Sequence, residues 1–155
     1  MIEFVRRCVG IEEMAAQVYR EFARQSQQNP ELVSIWQEMA RDEEMHADQL
    51  RFALRMPAKE AFEGVIADVP DPGALCATVE GLLARAKAME LTTLDMLKDA
   101  VTLEKEFRKV HATYVLLFKE KKMFEVFQRL AREDDQHIAA LQGYIQVFKE
   151  QLRTD

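Results

Sequence analysis

The chain has 155 residues, of which 48% are hydrophobic and 31% charged, and its formal net charge is −6. This length can bury a real core, and an acidic chain without a dense Lys/Arg tract is a poor nucleic-acid binder. No apolar run approaches the roughly 20 residues of a membrane-spanning helix, and the N-terminus does not resemble a signal peptide. Because Cys8 and Cys76 form no disulfide framework, we expect a cytoplasmic protein.

Breaker residues divide the chain into long helical stretches. Pro30 suits the first turn of a helix, and the stretch 56–73 is the most irregular in the chain. Thr92 and Asp95 have the spacing of a capping box. The sequence predicts bundle helices over about residues 2–25, 31–55, 93–118 and 122–152, with a crossover helix over about 74–89.

The lengths of the connections predict the topology. Short connections make helical hairpins, and one long crossover joins the two hairpins. We therefore predict an all-α fold, a ferritin-like four-helix bundle with one long crossover carrying an extra helix, in a single domain over residues 1–155. The sequence shows no strand pattern that competes with this interpretation.

The inward stripe of each bundle helix is apolar except near its middle, where it places a carboxylate. These residues are Glu12, Glu43, Glu104 and Asp134, and the second and fourth helices add His46 and His137 three residues later. Because an unpaired buried carboxylate costs several kcal/mol, a cation must lie between these side chains. Two divalent metals, each with one imidazole, satisfy the charge, and oxygen-rich ligation suits iron or manganese better than structural zinc.

Two further polar side chains lie on the inward stripes. His111 is seven residues after Glu104, and Tyr19 is seven residues after Glu12, so each lies two turns along the ligand face. Each is a candidate for an extra ligand or for a donor that orients a ligand carboxylate. A structural role in the core is the alternative for both residues.

The four inward acids lie in four motifs, which are EEMAAQVYR at 12–20, ARDEEMH at 40–46, LEK at 103–105 and LAREDDQH at 130–137. In this order they resemble the motifs of the rubrerythrin-type members of the ferritin-like superfamily, in whose first helix a ligand Glu precedes a Tyr by seven positions. The resemblance implies a di-iron oxidoreductase that acts on peroxide or dioxygen, and it is compatible with a homodimer.

The sequence departs from the rubrerythrin pattern in three ways. Asp134 replaces the usual Glu and reaches about one methylene less far, which leaves Glu133 as an alternative ligand. Phe107 lies where rubrerythrins usually have another Glu linked to their peroxidase cycle, and this weighs against that cycle. The sequence has no cysteine-rich rubredoxin module, so we expect an external electron donor.

The sequence leaves two other classes of function open. One is iron handling, either as a ferroxidase or storage protein or as an iron-binding protein without turnover. The other is an interaction protein on the same bundle with a decayed site. Mass measurement separates a storage shell from a small assembly, and metal analysis of the purified protein identifies a decayed site.

Overall fold

The computed structural model describes residues 2–55, 72–117 and 121–154, and in these ranges the chain is helical with no strand. The helices are α1 (Ile2–Gln25), α2 (Pro30–Leu54), α3 (Gly73–Lys87), α4 (Thr93–Leu117) and α5 (Lys121–Thr154). The all-α prediction is confirmed. Residues 56–71 of the irregular stretch predicted over 56–73, and the predicted helix end at Phe118, lie outside the described residues. Gly73, the last residue of that stretch, is the first residue of α3.

Local capping chemistry sets the ends of the helices. The Asn29 side chain accepts a hydrogen bond from the Leu32 amide at the start of α2. Thr92 and Asp95 form the predicted capping box, because the amide of each donates to the side chain of the other. The crossover helix α3 ends at Lys87, two residues before its predicted end, because Met89 adopts a left-handed φ of 58° that no helix continues.

Contacts between helices show that the four bundle helices α1, α2, α4 and α5 run up, down, down and up. Tyr19 contacts Glu104 while Glu12 contacts His111, so α1 and α4 run in opposite directions. The pairs Glu13–Arg51 and Arg20–Glu44 show the same for α1 and α2, and the pairs Gln49–Arg129 and His46–Glu133 show it for α2 and α5. Since α2 and α4 therefore point the same way, their connection must run the length of the bundle, as in a ferritin-like fold.

The predicted inward stripes form the core. On α1 and α2 the predicted stripes are buried at every position, namely Val5, Cys8, Glu12, Ala15, Tyr19 and Phe22, and Leu32, Trp36, Met39, Glu43, His46, Leu50 and Ala53. The predicted stripes of α4 and α5 are buried from Leu97 to His111 and from Phe127 to Asp134. An aromatic cluster lies beside the polar centre, where Trp36 stacks on Tyr19 at 5.8 Å and meets Phe22 edge-on at 5.1 Å between ring centroids. The core thus closes around the middle of the bundle, where the carboxylates lie.

The crossover helix α3 packs against α1. Its buried face consists of Leu75, Val79, Leu82 and Ala86. The Gln25 side chain at the end of α1 donates to the Ala86 carbonyl at 2.7 Å. Within the helices that the structure describes, no segment is both long and apolar enough to cross a membrane.

Candidate metal centre

Four carboxylates lie inside the bundle with almost no solvent exposure. Glu43, Glu104 and Asp134 are completely buried, and Glu12 is 1% exposed. They come from α2, α4, α5 and α1 respectively, because the apolar stripe of each helix carries one acid at its middle. The structure therefore brings together the four acids that the sequence singled out.

Two groups of potential metal donors share one residue. Glu12, Glu43 and His46 each offer an atom within 4.8 Å of the others, and so do Glu43, Glu104 and His137. Glu43 belongs to both groups, so the two groups are adjacent. Five of the six predicted ligands thus form two neighbouring sets, whereas the sixth, Asp134, belongs to neither among the described residues.

Each histidine ring faces the centre with Nδ1 and an acid of the opposite hairpin with Nε2. His46 Nδ1 lies 2.9 Å from Glu43 Oε2, while its Nε2 lies 2.9 Å from Glu133 Oε2. The alternative ligand Glu133 thus lies against the outer nitrogen of His46. A carboxylate in this position fixes the orientation and tautomer of a metal-binding imidazole.

The Nε2 atom of the second histidine is paired in the same way, with α2 and α5 exchanged, whereas its Nδ1 meets an acid of the neighbouring helix α4. His137 Nδ1 lies 3.1 Å from Glu104 Oε2, and its Nε2 lies 3.1 Å from Asp42 Oδ2. Asp42 directly precedes Glu43 on α2, just as Glu133 directly precedes Asp134 on α5. Sequence reasoning missed the role of Asp42, although an acid directly before each carboxylate was visible in both motifs.

Tyr19 and His111 hold the two Glu residues of the facing helices α1 and α4. The Tyr19 hydroxyl on α1 donates to Glu104 Oε1 on α4, and His111 Nε2 on α4 lies 3.1 Å from Glu12 Oε1 on α1. The other His111 nitrogen, Nδ1, lies 2.8 Å from Asp134 Oδ2.

Phe107 stacks on the His111 ring with 6° between the planes, so this position contributes an apolar wall to the site.

Unpartnered oxygens show that the donor set fits cations. Glu12 Oε2, Glu43 Oε1 and Asp134 Oδ1 are buried and accept no hydrogen bond from the part of the chain that the structure describes. An unsatisfied buried acceptor normally costs about 1–3 kcal/mol, and more when it is charged. Divalent metal ions ligated by the Glu12 and Glu43 oxygens would remove that cost for these two side chains, and the adjacent imidazoles would complete a carboxylate and histidine donor set.

Without a metal, protonated histidines balance the negative charge of the buried carboxylates. Burial lowers the pKa of His46, but its hydrogen bonds to Glu133 and Glu43 outweigh that effect and raise it to about 12. The pKa of His137 is raised to about 10, since its interactions with Glu104 outweigh its burial. Burial raises the pKa of Glu43 to about 7. The metal-free imidazoles are therefore cations at neutral pH.

The raised histidine pKa values give opposite pH dependences to metal-free stability and to metal binding. A histidine whose pKa is higher in the folded state than in the unfolded state stabilises the fold. This contribution is complete when the pH is below the unfolded-state pKa of 6.5, and it is lost as the pH rises through the folded-state pKa. We therefore expect the free energy of unfolding of the metal-free protein to fall between pH 6.5 and 10. Metal affinity should rise over the same range, because each ion must displace a proton from one imidazole.

Urea unfolding of the metal-free protein at several pH values measures the first effect. Calorimetric titration with Co²⁺ in buffers of different ionisation enthalpy measures the second as released protons. The variant Glu125→Gln, which changes an exposed acid paired with Lys121, should follow the wild-type pH profile. A metal-free stability that rises from pH 6.5 to 10 would contradict this account.

A groove between α2 and α5 gives solvent a path toward the centre. Its volume is about 360 Å³, and its lining includes Met39, Met45, Asp42, Glu133 and His137. His137 is 12% exposed, whereas His46 and the four carboxylates are at most 1% exposed. Within the described residues, the edge of His137 is therefore the part of the donor set that solvent reaches.

Comparison with known proteins supports the same identification. Residues 3–68 match the family described as Rubrerythrin, a range that contains α1 from its second residue, all of α2, and the donors Glu12, Glu43 and His46. No curated protein and no solved structure matches the chain. This match confirms the rubrerythrin-type resemblance of the motifs at 12–20 and 40–46, and the all-helical fold of the described residues is consistent with it.

Proposed function

We propose that this chain is a non-haem di-iron carboxylate protein with rubrerythrin-like redox activity on peroxide or dioxygen. The observation that carries the proposal is the pair of buried donor groups that share Glu43. Glu12, Glu43 and His46 would hold one ion, and Glu43, Glu104 and His137 the other. The family match over the first two helices supports this assignment for the first group.

The proposed reaction is a two-electron reduction. When bound, a pair of ferrous ions would supply two electrons, which together with two protons convert one dioxygen into hydrogen peroxide or one hydrogen peroxide into two waters. Restoring the ferrous state needs two electrons from an external reductant. The carboxylate and imidazole donors suit iron, with manganese as the alternative metal.

The residues of the chain prepare the site for this reaction. Glu133 and Asp42 accept hydrogen bonds from the Nε2 atoms of His46 and His137, so that each Nδ1 faces the carboxylates at the centre. The Tyr19 hydroxyl fixes one oxygen of Glu104. Because a small oxidant can approach along the groove beside His137, we place its route there.

The proposed compartment is the reducing cytoplasm. Cys8 and Cys76 are free, and Cys8 is buried.

Burial raises the pKa of the Cys8 thiol, and the nearby Glu12 charge raises it further, so this group stays protonated. A protonated buried thiol is a poor ligand and a poor nucleophile, and we therefore give Cys8 a packing role.

Anaerobic titration with ferrous iron tests the proposal directly. The wild-type protein should bind about two irons per chain. With a chemical reductant present, it should consume many equivalents of hydrogen peroxide or dioxygen for each iron bound. The measurements are metal analysis after gel filtration and the stopped-flow rate of iron oxidation with each oxidant.

Three outcomes separate the alternatives. Wild-type protein that takes up no iron would show a decayed site and would overturn the proposal. Protein that binds and oxidises about two irons, but stops after one turnover even with reductant, would be an iron-handling protein. A multi-subunit shell that accumulates iron far beyond that stoichiometry would indicate storage.

A further inference from the structure

His111 connects carboxylates from two other helices. Its Nε2 lies 3.1 Å from Glu12 Oε1 on α1, and its Nδ1 lies 2.8 Å from Asp134 Oδ2 on α5. The ring is 1% exposed and is held between Phe107 and Phe127, at centroid distances of 6.0 and 5.9 Å. Both nitrogens are thus engaged, and the aromatic neighbours leave the ring little freedom to turn.

This connection determines which oxygen of Glu12 faces the donor group. With Oε1 held by His111, the other oxygen, Oε2, is buried and has no hydrogen-bond partner among the described residues. Oε2 lies 4.0 Å from His46 Nδ1, inside the group formed by Glu12, Glu43 and His46. His111 therefore directs one oxygen of Glu12 toward a prospective ion and holds the other away from it.

Asp134 contributes to the same arrangement from α5. Its shorter side chain lies outside both groups of mutually close donors, and one of its oxygens is engaged by His111. We propose that Asp134 and His111 form a positioning pair that orients Glu12, in place of a sixth ligand contributed by Asp134. This inference rests on the proposed function, and it gives a role to Asp134, the acid on α5 whose side chain is shorter than the usual Glu.

A matching contact on the other side of the centre provides an internal comparison. Tyr19 on α1 holds Glu104 on α4, just as His111 on α4 holds Glu12 on α1. Each of these contacts serves a different donor group, since Glu12 belongs to the first and Glu104 to the second. His111→Phe should therefore affect the first group, and Tyr19→Phe should affect the second.

Anaerobic titration of the metal-free protein with Co²⁺ tests this assignment without any turnover. Wild type should bind two equivalents. His111→Phe should weaken one of them by about 10–100-fold, the usual effect of losing a residue that orients a ligand. His111→Gln, which keeps a donor for Glu12, should recover part of the affinity. The remaining tight equivalent in His111→Phe should survive a second change, His46→Ala, and should be lost with His137→Ala.

A double-mutant cycle separates positioning from ligation. If Asp134 acts through His111, Asp134→Ala should weaken the same equivalent and add little in the His111→Phe background. Asp134→Asn provides a milder change if the alanine variant does not fold. Additive losses from Asp134→Ala and His111→Phe, or loss of both equivalents in Asp134→Asn, would overturn the inference in favour of direct ligation.

The outcome for wild type keeps this inference distinct from the proposed function. Wild type that binds no cobalt would overturn both. Two tight equivalents in wild type, with unchanged affinities in His111→Phe, would overturn only the positioning pair. Urea unfolding of each metal-free variant shows whether a loss of affinity reflects a loss of fold.

Discussion

The variant Glu43→Gln should lose both metal equivalents. Glu43 is the one residue common to the two donor groups, it is completely buried, and its Oε1 has no hydrogen-bond partner in the described part of the chain. The amide keeps the shape of the side chain but removes the charge that both ions need. We expect affinity for each ion to fall by more than the roughly 10–100-fold that the loss of an orienting residue costs.

The adjacent residue supplies a matched control. Glu44→Gln makes the same chemical change one position along α2, where the side chain is 45% exposed and pairs with Arg20 at the surface. This control should bind two equivalents with wild-type affinity, as measured by Co²⁺ titration and metal analysis. If Glu43→Gln retained both equivalents, the shared carboxylate would not be a ligand and the dinuclear arrangement would be wrong.

The variant Trp36→Ala should cause a large loss of stability. Trp36 is fully buried, stacks on Tyr19 with 7° between the ring planes and meets Phe22 edge-on. Truncation of a buried tryptophan to alanine costs about 3–5 kcal/mol through lost burial and the cavity left behind. Because a domain is typically stable by only about 5–15 kcal/mol, the change should be evident in urea unfolding followed by circular dichroism.

Two companion variants show whether the loss arises from packing. Trp36→Phe keeps an aromatic ring at the stack, and the indole nitrogen it removes has no hydrogen-bond partner in the described residues, so it should cost much less than Trp36→Ala. Met45→Ala truncates a side chain that is 48% exposed on the same helix and should change stability by less than about 0.5 kcal/mol. Equal effects of Trp36→Ala and Met45→Ala would contradict the assignment of Trp36 to the core.

Helical periodicity predicted most of the fold and the identity of the central acids. The spacing of apolar residues determines which face of a helix points inward, so Glu12, Glu43, Glu104 and Asp134 could be placed at the centre before any contact was known. The capping box at Thr92 is equally local, since both partners lie within one turn. The end of α3 is different, because a left-handed residue at Met89 has no signature as clear as glycine.

Contacts between the hairpins were beyond sequence reasoning. Periodicity gives the direction of a side chain. It gives neither the distance from that side chain to another helix nor the register between the two helices. The pairs Asp42–His137 and Glu133–His46 depend on the relative height of α2 and α5, which the two connections and the packing set together. For the same reason the sequence left the role of His111 open, and the structure shows its contacts with Glu12 and Asp134.

The crossed pairing of the two histidines has a consequence for the order of folding. Each hairpin carries a histidine whose outer nitrogen is paired, among the described residues, by an acid of the other hairpin, so neither hairpin completes this imidazole environment alone. The hairpins themselves are local and should form early, whereas the centre requires contacts separated by about 90 residues in sequence. The centre should therefore form last. During refolding, the rate at which the protein becomes able to bind metal should report the docking of the two preformed hairpins.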